Sequence, residues 1–311
     1  MDDFIISSWR FSSGIAYENK KLSGELQPSV WYHCQRDADG LRGWLEDNAI
    51  PEAIVDSLLA DDTRPRFEHF DDDCFLMILR GINFNEGSQP DDMLSLRILW
   101  YKGALISTRK VPSRSVSGLI AQLEKGLGPT SLSDVIIGMV TGINKHISSF
   151  LVPVETLLDG LDWEGDEDTQ ALNALHSRLL RLRRYLKPQK YVFEDLIEIQ
   201  PKALVDAQNH LKNSLDTTMR INESIEFYID QINVFLANLS QRQAEKMNRN
   251  TYLFSIIAGI FLPAGFFTGL LGVNIGGIPG TENPIAFTLF CIGLVAVVAI
   301  EVIVLKRLRF I

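Results

Sequence analysis

Three cysteines, Cys34, Cys74 and Cys291, are all that the 311 residues contain. They are scattered, so no disulfide framework is available, and the pattern is that of a reducing compartment. There is no Cys-x-x-Cys pair and no His-Glu-x-x-His string, so no high-affinity zinc cage of familiar spacing is present. No nucleophile stands beside a base, and no Gly-rich phosphate loop or Walker-type string occurs; GGIPG at 276–280 reads as a turn. These absences argue against an enzyme, a nucleotide site or a resident cofactor. A basic face is missing too: 39 acidic residues outweigh 30 basic ones, for a net charge of −9. That argues against nucleic acid as a partner, because no basic face is expected to neutralise phosphates. The start, MDDFIISSWRF, lacks a basic segment followed by an apolar one, so no cleaved signal peptide is expected.

Two further absences organise the chain. No charge occurs between Arg249 and Glu282, and no Pro or Gly between Pro201 and Gly259. The uncharged stretch contains YLFSIIAGIFLPAGFFTGLLGVN, and at ~1.5 Å rise per residue some twenty apolar residues cross a hydrocarbon core of about 30 Å. A second span follows from Pro284 to Leu305. The predicted architecture is an α/β domain, a long stalk helix and a two-helix C-terminal transmembrane hairpin. Its segments are an α/β domain at 1–130, a helical part at 131–201, the stalk at 202–250, the first span at 251–271, a loop at 272–283, the second span at 284–305 and a tail at 306–311. Arg242, Lys246 and Arg249 precede the first span and Lys306, Arg307 and Arg309 follow the second, while the loop has no basic residue. The positive-inside rule then places both termini in the cytoplasm.

Along the first span and the last turn of the stalk, Asn248, Thr251, Ser255, Ala258, Leu262, Gly265 and Gly269 recur at spacings of three and four. They share one helix face, small or polar except at Leu262. Such stripes commonly mark close helix packing. The polar extensions at Asn248 and Asn274 favour a pore instead, because an amide carbonyl can replace a water around a cation.

Before the stalk, strands are expected in DFIISSWRF and VWYHC, and short helices between Leu41 and Ala60, with Pro51 at a first helical position. The apolar run from Cys74 suits a strand buried on both faces, and Lys102-Gly103 a hairpin turn between two more. Ser113 to Lys125 is read as a helix. From Ser131 the pattern is helical: a weak capping box of Ser131 with Asp134, a helix to Leu158, a second ending before Pro188, and a third from Lys190 to Ile199.

The α/β domain, the stalk, the two spans and a Gly-x-Asn after the first span together resemble the CorA-type metal ion transporters. That family carries Gly-Met-Asn where this chain has Gly272-Val273-Asn274. The string FLPAGFFTGLLGVNIGGIPGTENP is similar to the ZntB branch, associated with zinc transport. The resemblance implies a homopentamer in the inner membrane, with the first spans lining a pore for divalent cations and Zn²⁺ as the transported ion. It implies a ring of Asn274 carbonyls at the outer mouth, a backbone turn at Gly272, cation concentration by Glu282, and apolar constrictions at Leu262 and Phe254. Proton coupling is associated with the same branch. Val273 in place of Met favours zinc; a channel for Mg²⁺, Co²⁺ or Ni²⁺ and a hairpin that is only an anchor are the alternatives. The acidic connection with Asp159, Asp162, Glu164 and Asp166 is either a solvated linker or, as the resemblance would allow, a cytoplasmic cation site. Glu301 is expected to reach the interface or pair with Lys306, and His146, His176 and His210 to be exposed.

Overall fold

The computed structural model describes residues 4–19, 24–161, 169–272, 280 and 283–307. The chain falls into two compact units, residues 1–234 and 235–311.

The first unit is built on a mixed sheet of seven strands. They are β1 (Ile5–Ser12), β2 (Ile15–Glu18), β3 (Val30–Gln35), β4 (Arg66–Asp71), β5 (Cys74–Gly81), β6 (Leu94–Tyr101) and β7 (Ala104–Arg109), in the order β2-β1-β3-β7-β6-β5-β4. Only β3 and β7 pair in parallel. β5 is buried along its whole length because both faces are covered. Cys74, Leu76 and Ile78 meet α1 (Leu41–Asp47) and α2 (Glu52–Leu59) in one cluster with Trp44, Ile54 and Leu58. The alternate residues Phe75, Met77 and Leu79 point to the other face, as period-two geometry requires, and are buried there. The β6–β7 turn has Lys102 at φ 47° and Gly103 at φ 76°. Two successive positive φ values match the right-handed twist of a tight hairpin.

β4 was not expected from the sequence. RFEHFD carries three charges and sits at the sheet edge, paired only with β5, so burial leaves little apolar signature. The Asp71–Asp73 stretch is the β4–β5 turn, where Asp71 Oδ1 accepts from the Asp73 amide at 2.8 Å and Lys202 Nζ meets Asp72 at 2.6 Å.

Three helices follow: α3 (Arg114–Glu124), α4 (Leu132–Asp159) and α5 (Thr169–Ile199). Pro51 precedes α2 as its N-cap instead of opening it. At α4 the Ser131 hydroxyl accepts from the Asp134 amide at 3.1 Å, but Asp134 returns its bonds to Thr130, one residue upstream of a standard box. The expected break at Pro188 is absent. α5 runs through it, because one lost backbone bond is outweighed by burial of Leu186, Gln189, Val192, Phe193 and Leu196 around it. Gln189 also accepts from the Arg80 amide at 2.8 Å, fixing this turn of α5 to β5.

Polar groups tie these layers together. Arg97 is fully buried and donates to the carbonyls of Leu58 at 2.6 Å and Asp61 at 2.9 Å. Burial, then the neighbouring Arg36 and Arg80, push it down to about 9. Arg80 donates to the carbonyls of Thr63 and, at 3.0 Å, Met93. The connection from α2 to β4 is thus clamped by two guanidinium forks. Beyond a 3-10 turn (Lys202–Ala207), α6 (Gln208–Leu271) is continuous for 64 residues. Asn144 of α4 donates to the Ser214 carbonyl at 3.1 Å and accepts from Thr218 at 3.3 Å, both on α6.

The second unit holds the C-terminal half of α6 and α7 (Ala286–Arg307). Among the described residues, three helical stretches are long and apolar enough to cross a membrane: α4, the stretch ending in α6, and α7. Burial separates them. The most apolar window of α4 is 44% buried inside its own unit, whereas those of α6 and α7 are 0% buried. α4 is therefore a core helix, and the other two present apolar surface that water would penalise.

Candidate ion pathway

The two apolar helices of the second unit cover one another on specific sides. In the span of α6, only Ile256, Ile260, Pro263 and Ala264 are partly shielded among the described residues. Ile260 stands four residues from both Ile256 and Ala264 and three from Pro263, which puts the four on one side. Phe267 and Leu271 continue that side and line a crevice of about 210 Å³ with Phe290, Gly293, Leu294 and Val297 of α7. The shielded residues of α7, among them Phe290, Leu294, Val297, Glu301 and Leu305, also recur at three and four.

At about 100° per residue, the stripe of Asn248, Thr251, Ser255, Ala258, Leu262, Gly265 and Gly269 lies on the opposite side of α6. All seven residues are exposed in the single chain. A Cβ added at Gly259, Gly265 or Gly269 would meet nothing within 4 Å. The small side chains are thus not explained by close packing inside this chain. Leu262 is 74% exposed and Phe254 71%. Leu262 sits within the stripe and Phe254 on its flank.

The hydroxyl of Ser255 donates back to the Thr251 carbonyl at 2.9 Å, and Thr268 does the same to Ala264 at 3.0 Å. With the hydrogen spent on the helix, the Ser255 oxygen keeps its lone pairs for an outside donor or a cation. Pro263 has no N–H, so the carbonyl of Gly259 loses its helical donor. At the helix end the Gly272 amide donates to the Thr268 carbonyl at 3.0 Å. A Cβ at Gly272 would stand 2.8 Å from that same oxygen, so the position admits glycine only without rearrangement. Val273, Asn274 and Glu282 lie outside the described residues.

Glu301 lies on the side of α7 that faces α6, and its Oε2 is buried with no hydrogen-bond partner among the described residues. The expected pairing of that oxygen with Lys306 is not formed. The helix geometry explains it: Lys306 stands five residues on, about 140° around the helix axis from Glu301.

In the first unit, Asp159 closes α4 and is exposed near Tyr228, whose phenol is raised by burial and then by Glu155. Asp162, Glu164 and Asp166 lie outside the described residues, and among the described ones no three His, Cys, Asp or Glu side chains converge on a metal position. Of the histidines expected at the surface, His210 is exposed, while His146 and His176 are half-buried. His146 Nδ1 is 3.0 Å from the Ser115 hydroxyl, and its ring meets Phe84 edge-on. α3 and Phe84 cover that face of α4, which the spacing of α4 alone did not show.

His33 and Cys34 alternate on β3 and point to opposite faces, as the strand reading requires. Both are buried. Trp31 Nε1 donates to Ser107 Oγ at 2.8 Å, and His33 Nδ1 lies 2.8 Å from the same oxygen. Burial, then Arg109, hold His33 down to about 3. A histidine depressed in the folded state contributes stability that is full above its unfolded value and is lost as pH falls toward the folded one. Between about pH 6.5 and 3, His33 therefore withdraws up to ~1.4 kcal/mol per pH unit. Urea midpoints of the native protein should fall over this window, and His33→Phe should flatten the fall. An equal slope in the variant would assign the acid sensitivity to other groups.

The model of the family described as CorA-like Mg²⁺ transporter protein matches residues 27–307. The zinc transport protein ZntB of Vibrio parahaemolyticus is 43% identical over 307 residues, covering 99% of this chain and 97% of that one. The divalent cation transporter CmaX of Pseudomonas aeruginosa is 35% identical, covering 91% and 88%. The structure of a full-length CmaX protein aligns with a TM-score of 0.84 at 32% identity, over 98% of each chain.

Proposed function

Because the chain belongs to the family of CorA-like Mg²⁺ transporter proteins, we propose that it is a homopentameric, proton-coupled transporter of divalent cations whose main substrate is Zn²⁺. The zinc assignment draws on the 43% identical ZntB relative and on Val273 in place of the family's Met. In this reading residues 251–271 and 284–305 cross the inner membrane, both termini are cytoplasmic, and the loop with Asn274 and Glu282 lies outside. α6 lines the pore and α7 separates it from lipid.

One observation supports the pore most directly. The polar and small stripe of α6 lies opposite the side that lines the crevice with α7, and all seven of its residues are exposed among the described residues. An anchor hairpin would have no use for aligned Asn248, Thr251 and Ser255 on its outer side, where each polar group in hydrocarbon is costly. Five copies would bring the stripe around one axis. A cation passing there exchanges part of its water for hydroxyl and carbonyl oxygens. Weak, successive sites allow release, which is why no tight zinc cage is needed.

Cysteine accessibility tests the assignment of faces. In a background with the three native cysteines replaced, single cysteines at Thr251, Ser255 and Ala258 should react with a charged, membrane-impermeant thiol reagent. Cysteines at Ile256 and Ile260 should be at least about tenfold slower, since they pack against α7. Equal rates on the two faces would remove the pore from this side of the helix.

A further inference from the structure

Away from the spans, the first unit contains a groove of about 570 Å³ lined by Arg64, Arg183, Arg184, Lys187, Tyr191 and Glu226, together with Leu180 and Pro188. Arg183, Arg184 and Lys187 recur at three and four on one side of α5, Arg64 comes from the connection before β4, and Glu226 from α6. Four cations therefore face one carboxylate. Glu226 is shared: Oε2 is 3.0 Å from Arg183 and Oε1 is 3.4 Å from Lys187. Burial would raise Glu226, but these two cations outweigh it and hold the carboxyl below its usual range. Arg64 and Arg184 have no carboxylate within ion-pair distance among the described residues.

This crowding opposes the character of the chain, whose net charge is −9. Like charges three and four residues apart destabilise a helix, and the single acid leaves three positive charges uncompensated. Nearby cations are treated differently. Arg178 and Arg181 converge on the buried Asp91, and Lys190 pairs with Glu194 at 3.2 Å. On α5 the uncompensated charge thus falls at the groove. Guanidinium forks match phosphate oxygens in two-point contacts, and a lysine adds a mobile point charge. At the same groove, Tyr191 presents a ring that is 54% exposed, with Lys190 Nζ 5.8 Å from its centre. An exposed ring beside a phosphate-binding cluster is a stacking platform for a flat base.

We infer that this groove binds a nucleoside triphosphate, with the phosphates held by Arg64, Arg183, Arg184 and Lys187 and the base stacked on Tyr191. The absence of a Gly-rich loop excludes a Walker-type site but not recognition by side chains from three elements. Glu226 acts as an internal competitor, occupying Arg183 and Lys187 until phosphate takes its place. No bond is broken in this proposal; the groove is a binding site.

Isothermal titration of the purified full-length protein in detergent tests it, using ATP, inorganic triphosphate and adenosine without divalent ions. Saturable ATP binding is expected, with weaker triphosphate binding and none for adenosine. Arg64→Ala with Arg184→Ala should weaken ATP at least about tenfold, since each removes a charge-assisted contact. Tyr191→Ala should weaken ATP but leave triphosphate unchanged. Glu226→Gln should tighten both, a gain that misfolding cannot produce. Equal affinity for ATP and triphosphate would remove the base from the site. No saturable ATP binding, or binding untouched by the double arginine variant, would overturn the proposal. None of these readouts uses ion flux, so they stand or fall apart from the transport assignment.

Discussion

Asn274→Ala is expected to remove most metal uptake, at least about 90%, while leaving the protein folded and assembled. The reasoning starts from desolvation. A divalent ion gives up hydration only where oxygen dipoles replace it, and in the proposed pore a ring of Asn274 amide carbonyls would be such a replacement. Alanine offers a methyl group, so the ion meets the apolar pore without a first station. The backbone requirement at the end of α6 rests on Gly272, where a Cβ would stand 2.8 Å from the Thr268 carbonyl, and not on the Asn274 side chain. Assembly should therefore survive in Asn274→Ala, as judged by size-exclusion chromatography with light scattering. Uptake close to native in an assembled variant would take Asn274 out of the selectivity role.

Leu262→Ser is expected to act in the opposite direction, raising leak several-fold in the absence of a driving gradient. Leu262 is the one large apolar residue in an otherwise small or polar stripe, and it is 74% exposed in the single chain. A ring of such side chains excludes water from a narrow passage, and dewetting blocks hydrated ions. Serine shortens the side chain and offers a hydroxyl, so water can bridge the constriction. The substitution touches no packing inside the chain, so stability should change little. Dye-release controls separate ion leak from damaged vesicles. A variant whose basal flux equals that of the native protein would place the constriction elsewhere, with Phe254 the next residue to test.

The parts of this molecule that were legible in the sequence are those governed by a single strong constraint. An uncharged run from 250 to 281 has few destinations other than a bilayer. β5 is legible because both its faces are buried, and the β6–β7 turn because Lys102-Gly103 accepts positive φ at two successive positions. The stripe on α6 could be read from spacing, but not which side of it α7 covers. That depends on Phe290, Leu294 and Val297, far along the chain.

Failures of the sequence reading share a cause: tertiary contacts outweigh local preference. Pro188 signals a helix end, yet Val192, Phe193 and Leu196 beyond it are buried and hold α5 in one piece. β4 is polar and still a strand because β5 supplies its hydrogen bonds. His146 looks solitary on α4 until Ser115 and Phe84 arrive from other elements. The basic groove assembles from residues 64, 180–191 and 226, so neither spacing nor net charge reveals it.

Zinc flux into proteoliposomes containing the purified protein is the measurement that bears most directly on the central claim, with magnesium run in parallel and a pH gradient imposed on half the vesicles. The account predicts zinc flux that responds to the gradient and exceeds that of magnesium. Magnesium flux indifferent to pH, or no flux of either ion from a folded and assembled protein, would contradict it.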